Sequence, residues 1–317
     1  MDAVKRSLLL LVLVSLACAP PRPALAQSDE FSFGVIGHAS GAAADQSALR
    51  DAIEQSDESN LAFVVVNGIK SAVEPCSDTL YLQRKAILEQ AKNGLMLSLA
   101  ASDWSECRNA GERSAAVERL NRLRDLFFVD EFSFGASKLP LVRQSNSAKF
   151  RNYGENTRWE IGVVMFATVN LPSNNNHYRS EAGRNNEFED RLIANRDWLR
   201  RVFTFAARKK LAGIVLFCDG NPLDESGTPG RLKTAGRRDG FAETRQQIGL
   251  LAARYSGQVL VIHGQAESKP NSSNSIFRHK NLGQLGVAAG WVKVTVNSSF
   301  PGLFSATKVL PRPKSGA

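Results

Sequence analysis

Leu61-Ala62-Phe63-Val64-Val65-Val66-Asn67-Gly68 decides how this chain is read. Six apolar residues, three of them consecutive valines, run into an Asn-Gly turn signal. The run is too short for a stable helix and rich in β-branched residues. It does not alternate, so both of its faces are buried, as in an inner strand of a helix-covered sheet. Four more runs share this grammar. Phe31 to Ile36 ends at Gly37, and Gly94 to Leu99 ends at Ala100-Ala101. Ile214 to Phe217 passes through Cys218 into Asp219-Gly220-Asn221-Pro222, and Val259 to Ile262 ends at His263-Gly264. Trp159 to Val169 and Trp291 to Val296 read as further strands. The second alternates, which predicts a half-exposed strand.

Helical periodicity fills the intervals. Asp45 to Gln55 spaces Leu49 and Ile53 four apart, and Asp78 to Lys92 places Leu80, Ile87 and Leu88 on one side. Glu112 to Phe128 carries Val117, Leu120, Leu123 and Phe127. Arg191 to Lys210 carries Trp198, Leu199, Val202 and Phe205, and Phe241 to Tyr255 carries Ile248, Leu251 and Ala252. Alternation of strand and helix predicts a layered α/β fold. In such sheets ligands sit beyond the C-terminal strand ends. The candidate site residues are therefore His38, Asn67, Ser102, Asp103, Asp219, His263 and Glu267.

The N-terminus has an export pattern. Lys5 and Arg6 precede an apolar run from Leu8 to Ala17, which is shorter than the roughly 20 residues of a membrane span. Ala24-Leu25-Ala26 then supplies small residues at −3 and −1, so residues 1–26 read as a signal peptide. Lipidation at Cys18 is a rival reading, as is a buried N-terminal helix, which Pro20, Pro21 and Pro23 disfavour. Residues 27–310 read as one domain and 311–317 as a disordered tail. The expected location is periplasmic or secreted.

The formal net charge of the 317 residues is +9. Arg200, Arg201, Arg208, Lys209 and Lys210 form one basic cluster, and Arg231, Lys233, Arg237 and Arg238 another. They read either as solvated faces or as a surface for an anionic partner. No specific nucleic-acid motif accompanies them. Three cysteines follow the signal segment, an odd count that predicts one bridge and one thiol. Cys76 and Cys107 lie in polar loops, whereas Cys218 lies in an apolar run, so a Cys76–Cys107 disulfide is expected. No nucleophile elbow, phosphate loop or dinucleotide fingerprint is present.

Several segments taken in order resemble the calcineurin-like metallophosphoesterases, in a secreted-type branch. They are Phe31-Ser32-Phe33-Gly34-Val35-Ile36-Gly37, Phe63 to Lys70, Cys76-Ser77-Asp78 and Trp104-Ser105-Glu106-Cys107. Glu155-Asn156 with Arg158-Trp159, Asn174-Asn175-Asn176, Arg191 with Asn195, Trp198 and Leu199, and Gly290 to Val294 continue the series. The resemblance implies a layered β-sandwich flanked by helices, with metal ligands at successive strand ends. The ligand positions themselves depart from the family. His38 stands at the first Asp, Gly68 at the bridging Asp, and Ala101-Ser102 at Asp-Asn. No His occurs between Phe217 and Pro222, and Gln265 and Glu267 follow His263-Gly264 where further ligands are expected.

Two dications held roughly 3.5–4 Å apart need a bridging carboxylate to offset their repulsion, and Gly68 provides none. The expectation is a pseudoenzyme that binds or scaffolds. The alternative is a phosphoric ester hydrolase whose rearranged site uses a single divalent transition metal, held by some of His38, Asp103, Asp219, His263 and Glu267. The partner expected is an anionic surface or a phosphate-containing ligand.

Overall fold

A computed structural model describes residues 30–37, 46–180, 183–224, 238–266 and 276–309. The proposed signal segment and tail, and the candidates His38 and Glu267, lie outside the described residues. So do Arg231, Lys233 and Arg237 of the second basic cluster.

Two sheets are present. In the first, β1 (Glu30–Ile36), β2 (Val64–Asn67) and β3 (Leu95–Ser98) run parallel. β11 (Trp291–Asn297) and β12 (Phe304–Val309) extend it antiparallel beyond β1. In the second, β6 (Val164–Thr168), β7 (Gly213–Cys218), β8 (Gln258–His263) and β10 (Leu282–Gly286) are parallel neighbours. The short strand β4 (Val142–Arg143) and β5 (Thr157–Ile161) close one edge, and β9 (Phe277–His279) the other.

The helices are α1 (Gln46–Asp57), α2 (Asp78–Glu89), α3 (Ala116–Phe127), α4 (Asn186–Arg208) and α5 (Ala242–Arg254). Their cores show how the layers stack. α1, α2 and α3 pack on the first sheet through Ile53, Leu88, Leu120 and Leu123. α4 and α5 pack on the second through Trp198, Leu199, Val202 and Ile248. Between the sheets Phe33 stacks on Phe63 with centroids 4.9 Å apart, and Phe166 meets Phe63 edge-on at 4.8 Å. Each of these fully buried rings contributes about 2 kcal/mol or more by leaving water. Strand β2 shows why a non-alternating run was needed: Val64 and Val66 face the helices while Phe63 and Val65 face the other sheet.

Helix boundaries follow local chemistry. Ser77 caps α2 by accepting the Leu80 N–H at 3.2 Å, and Asp78 adds a negative charge in the first turn. The reading of 159–169 as one strand is corrected. Gly162 adopts a φ of +55°, and the chain folds back with Ile161 opposite Val164 to make the β5–β6 hairpin. Strands β4, β9, β10 and β12 are additions to the sequence reading. β11 alternates in burial as expected. Among the described residues no helix is long and apolar enough to cross a membrane.

Candidate functional site

The parallel strands of both sheets bring several candidates to one end of the sandwich. Asn67 ends β2 opposite Ser98 of β3. Cys218 ends β7 opposite His263 of β8, and Asp219 follows it. Asn67, Ser98, Cys218 and His263 line a cavity of about 10 Å³ between the sheets, which is room for a single water.

Asp103 sits apart from that cavity in a short 3-10 turn after β3. It is fully buried. Its Oδ1 accepts the Ile69 N–H at 3.0 Å and the Lys70 N–H at 3.3 Å, and its Oδ2 accepts the Ala100 N–H at 2.8 Å. Burial outweighs these bonds and pushes its carboxyl up to about 6. The buried Lys70 ammonium donates to the Ser71 carbonyl at 2.7 Å and the Ser102 carbonyl at 2.8 Å. Burial pulls Lys70 below its ordinary value, while Asp103 opposes that. Ser102 returns a bond from Oγ to the Lys70 carbonyl at 2.9 Å. Asp103, Lys70 and Ser102 therefore form a clasp that fastens the β2–α2 loop to the β3–α3 loop.

A disulfide joins Cys76 to Cys107 across the same two loops, with Cα atoms 5.9 Å apart. Tyr81 donates from its hydroxyl to the Asp103 carbonyl at 2.7 Å. Arg84 donates to the Ile69 carbonyl at 2.8 Å and pairs with Glu74, which accepts the Ser71 N–H at 2.8 Å. Cys218 is a buried free thiol. Burial raises its pKa, so it stays protonated and unreactive.

Asp219 is divided between structure and site. Its Oδ2 accepts the Ala101 N–H at 2.7 Å and the Ser173 N–H at 2.8 Å. A Cβ added at Gly264 would lie 2.1 Å from Asn67 Nδ2 and 2.9 Å from Asp219 Oδ1, so these two side chains converge on the bare Gly264 backbone. Burial raises the Asp219 pKa against those two amide bonds and a further bond from the Ser173 side chain. His263 is almost fully buried. Its Nδ1 accepts the Gln265 N–H at 3.3 Å, so the neutral ring carries its proton on Nε2. Burial holds His263 down at about 4. Its Nε2 and both polar atoms of the Asn67 amide have no partner among the described residues.

A metal pair does not fit these residues. Gly68, with a φ of +78°, offers only backbone where the resemblance expects a bridging carboxylate. Asp103 has committed both oxygens to amides, and Asp219 accepts two amides and the Ser173 side chain. Among the described residues no group of three or more His, Cys, Asp or Glu converges on a point. His263 Nε2 and the Asn67 amide remain without a partner among the described residues, a neutral pair suited to hydrogen bonding.

A second polar network lies beneath the β6–α4 loop, and sequence reading reached it only through resemblance. Asn156 donates to Gln144 at 2.7 Å and to Asn195 at 2.8 Å, Asn195 donates to the Asn170 carbonyl at 2.9 Å, and Trp198 donates to the Thr168 carbonyl at 3.0 Å. Glu155 pairs with Arg124 at 2.6 Å. Fully buried Arg191 pairs with Glu187 at 2.7 Å. Burial pulls Glu187 upward, but Arg191 and His177 outweigh it and hold its carboxyl at about 2. The i,i+4 spacing of Glu187 and Arg191 was the available sequence signal for that pair.

No protein-family model matches this sequence, and a search of curated proteins finds no match.

Proposed function

We propose that this chain is an exported protein with a calcineurin-like metallophosphoesterase fold that has lost dinuclear metal chemistry and serves as a non-catalytic binding or scaffold module. The observation that carries this reading is the fate of the carboxylates. Asp103, in the loop where a ligand is expected, spends three acceptor positions on backbone N–H groups, and Gly68 supplies no bridging oxygen. A nucleophilic water depends on the charge of the ions that bind it, and the donors left at these strand ends are mostly neutral. Helices packed on both outer faces of a two-sheet sandwich support the fold part of the proposal. The disulfide supports an oxidising compartment, in keeping with the signal-like first 26 residues.

The test is turnover. The purified protein should release no product above background from an aryl phosphate or an aryl phosphodiester in the presence of Mn²⁺. Turnover that His263→Ala abolishes would establish instead a hydrolase with a rearranged, single-metal site.

A further inference from the structure

We propose that a polar cleft just outside the strand ends binds a small oxyanion carried on a polyhydroxyl body, the chemistry of a sugar phosphate. This deepens the binding reading by giving it a place and a ligand class. The cleft holds about 580 Å³, within the range of small-molecule sites, roughly 300–1,000 Å³.

Both walls are built to hold their shape. One is the β3–α3 loop, anchored by the Cys76–Cys107 disulfide. Asn109 Oδ1 accepts the Gly111 N–H at 3.0 Å and the Arg113 N–H at 3.1 Å, and Arg108 donates to the Glu112 carbonyl at 2.8 Å. The opposite wall is the β6–α4 loop. There Asn175, Asn176 and His177 adopt φ values of 56°, 54° and 55°, three successive left-handed residues without a glycine. Such a conformation costs roughly 1–2 kcal/mol per residue, although Asn tolerates it best. Buried contacts offset that cost. Arg191 donates to Asn176 Oδ1 at 2.5 Å, to the Asn176 carbonyl at 2.9 Å and to the Asn170 carbonyl at 3.1 Å. Asn176 donates to the Gly240 carbonyl at 2.9 Å, and Asn175 accepts the Gly240 N–H at 2.9 Å. The two walls meet where Ser105 Oγ donates to Asn174 Oδ1 at 3.1 Å and where Trp104 meets the His177 ring edge-on at 4.9 Å. Strain that is over-determined in this way clusters at ligand-binding sites.

The lining sets the ligand class. Arg113 on one wall and Arg179 on the other line the cleft, and neither guanidinium has a hydrogen-bond or ion-pair partner among the described residues. Free guanidiniums match an oxyanion's paired oxygens. Glu106, Glu112 and Ser114 supply acceptors for hydroxyl groups on the same ligand.

Calorimetric titration of the purified protein with glucose 6-phosphate, glucose and inorganic phosphate tests the proposal. Glucose 6-phosphate should bind saturably, with glucose and phosphate each weaker by tenfold or more. The double variant Arg113→Gln/Arg179→Gln should lose roughly tenfold or more in affinity with an unchanged melting temperature. No saturable binding of glucose 6-phosphate up to about 10 mM, or an unchanged affinity in a folded double variant, would overturn the cleft while leaving the non-catalytic reading intact. Phosphate binding as tight as that of glucose 6-phosphate would overturn the polyhydroxyl part. Release of phosphate during the titration would instead sink the non-catalytic reading and leave the cleft standing.

Discussion

Asp103 and His263 are both buried at the same end of the sandwich, yet their surroundings are opposite. Asp103 is well engaged, with two backbone amides on Oδ1 and one on Oδ2. His263 and its neighbour Asn67 keep polar atoms without partners among the described residues, beside a water-sized gap. A carboxylate with both oxygens engaged by backbone amides works as a fastener. An imidazole N–H and an amide beside a gap can still receive something small. The contrast teaches that the acid in this loop fastens the architecture, while the adjustable part of the site consists of neutral groups.

Several experiments would break or sharpen this contrast. Asp103→Ala should have the largest effect. It leaves buried N–H groups unpaired, each worth about 1–3 kcal/mol, so thermal or denaturant unfolding should show a loss of about 4 kcal/mol or more. A loss below about 1 kcal/mol would mean that the clasp is not structural. Replacing both Cys76 and Cys107 by Ser should cost about 3 kcal/mol, because the bridge spans 31 positions and constrains the unfolded chain. The same denaturation measurement checks it.

The two groups should also respond to pH with opposite signs. Asp103 is raised from 3.8 to about 6. Its contribution is complete below about pH 4 and is lost as pH rises through about 6. His263 is held down from 6.5 to about 4. Its contribution is complete above pH 6.5 and is lost as pH falls through about 4. Each reaches about 3 kcal/mol at its limit, so in the wild type they largely cancel between pH 4 and 6.5. Asp103→Asn should expose the histidine and lose stability on acidification across that window. His263→Gln should expose the aspartate and gain stability there. Denaturant midpoints at pH 4, 5, 6 and 7 separate the two. The smallest effect is expected for Asn67→Leu. It replaces an unpartnered buried amide with an apolar side chain of similar size, and its stability should stay within about 1 kcal/mol of wild type. A loss above about 2 kcal/mol would show that the amide is satisfied in solution.

Much of the frame was legible in the sequence because burial on two faces writes continuous apolar runs, as in Val64 to Val66 and Ile214 to Phe217. The half-exposed β11 announced itself through alternation. β9 and β10 did not, since Leu282-Gly283-Gln284-Leu285-Gly286 gains its strand character from pairing with β8 rather than from propensity. Gly162 concealed a hairpin inside what reads as one strand, Trp159 to Val169. For the site, the positions of Asn67, Asp219 and His263 at strand ends followed from topology. The clasp did not, because Lys70 reads as an ordinary surface residue until two carbonyls enclose its ammonium. The left-handed turn at Asn175 to His177 was legible only as a polar loop. Its conformation depends on Arg191, fifteen residues beyond Asn176, and on Gly240.

The central claim is that the acids at these strand ends fasten loops and do not hold metal. Metal analysis of the protein, purified without chelator and then dialysed against excess Mn²⁺ and Zn²⁺ before gel filtration, tests it most directly. The account predicts well under one equivalent of any transition metal, with no change in Asp103→Asn or His263→Gln. One or two equivalents in the wild type, lost in those variants, would contradict it.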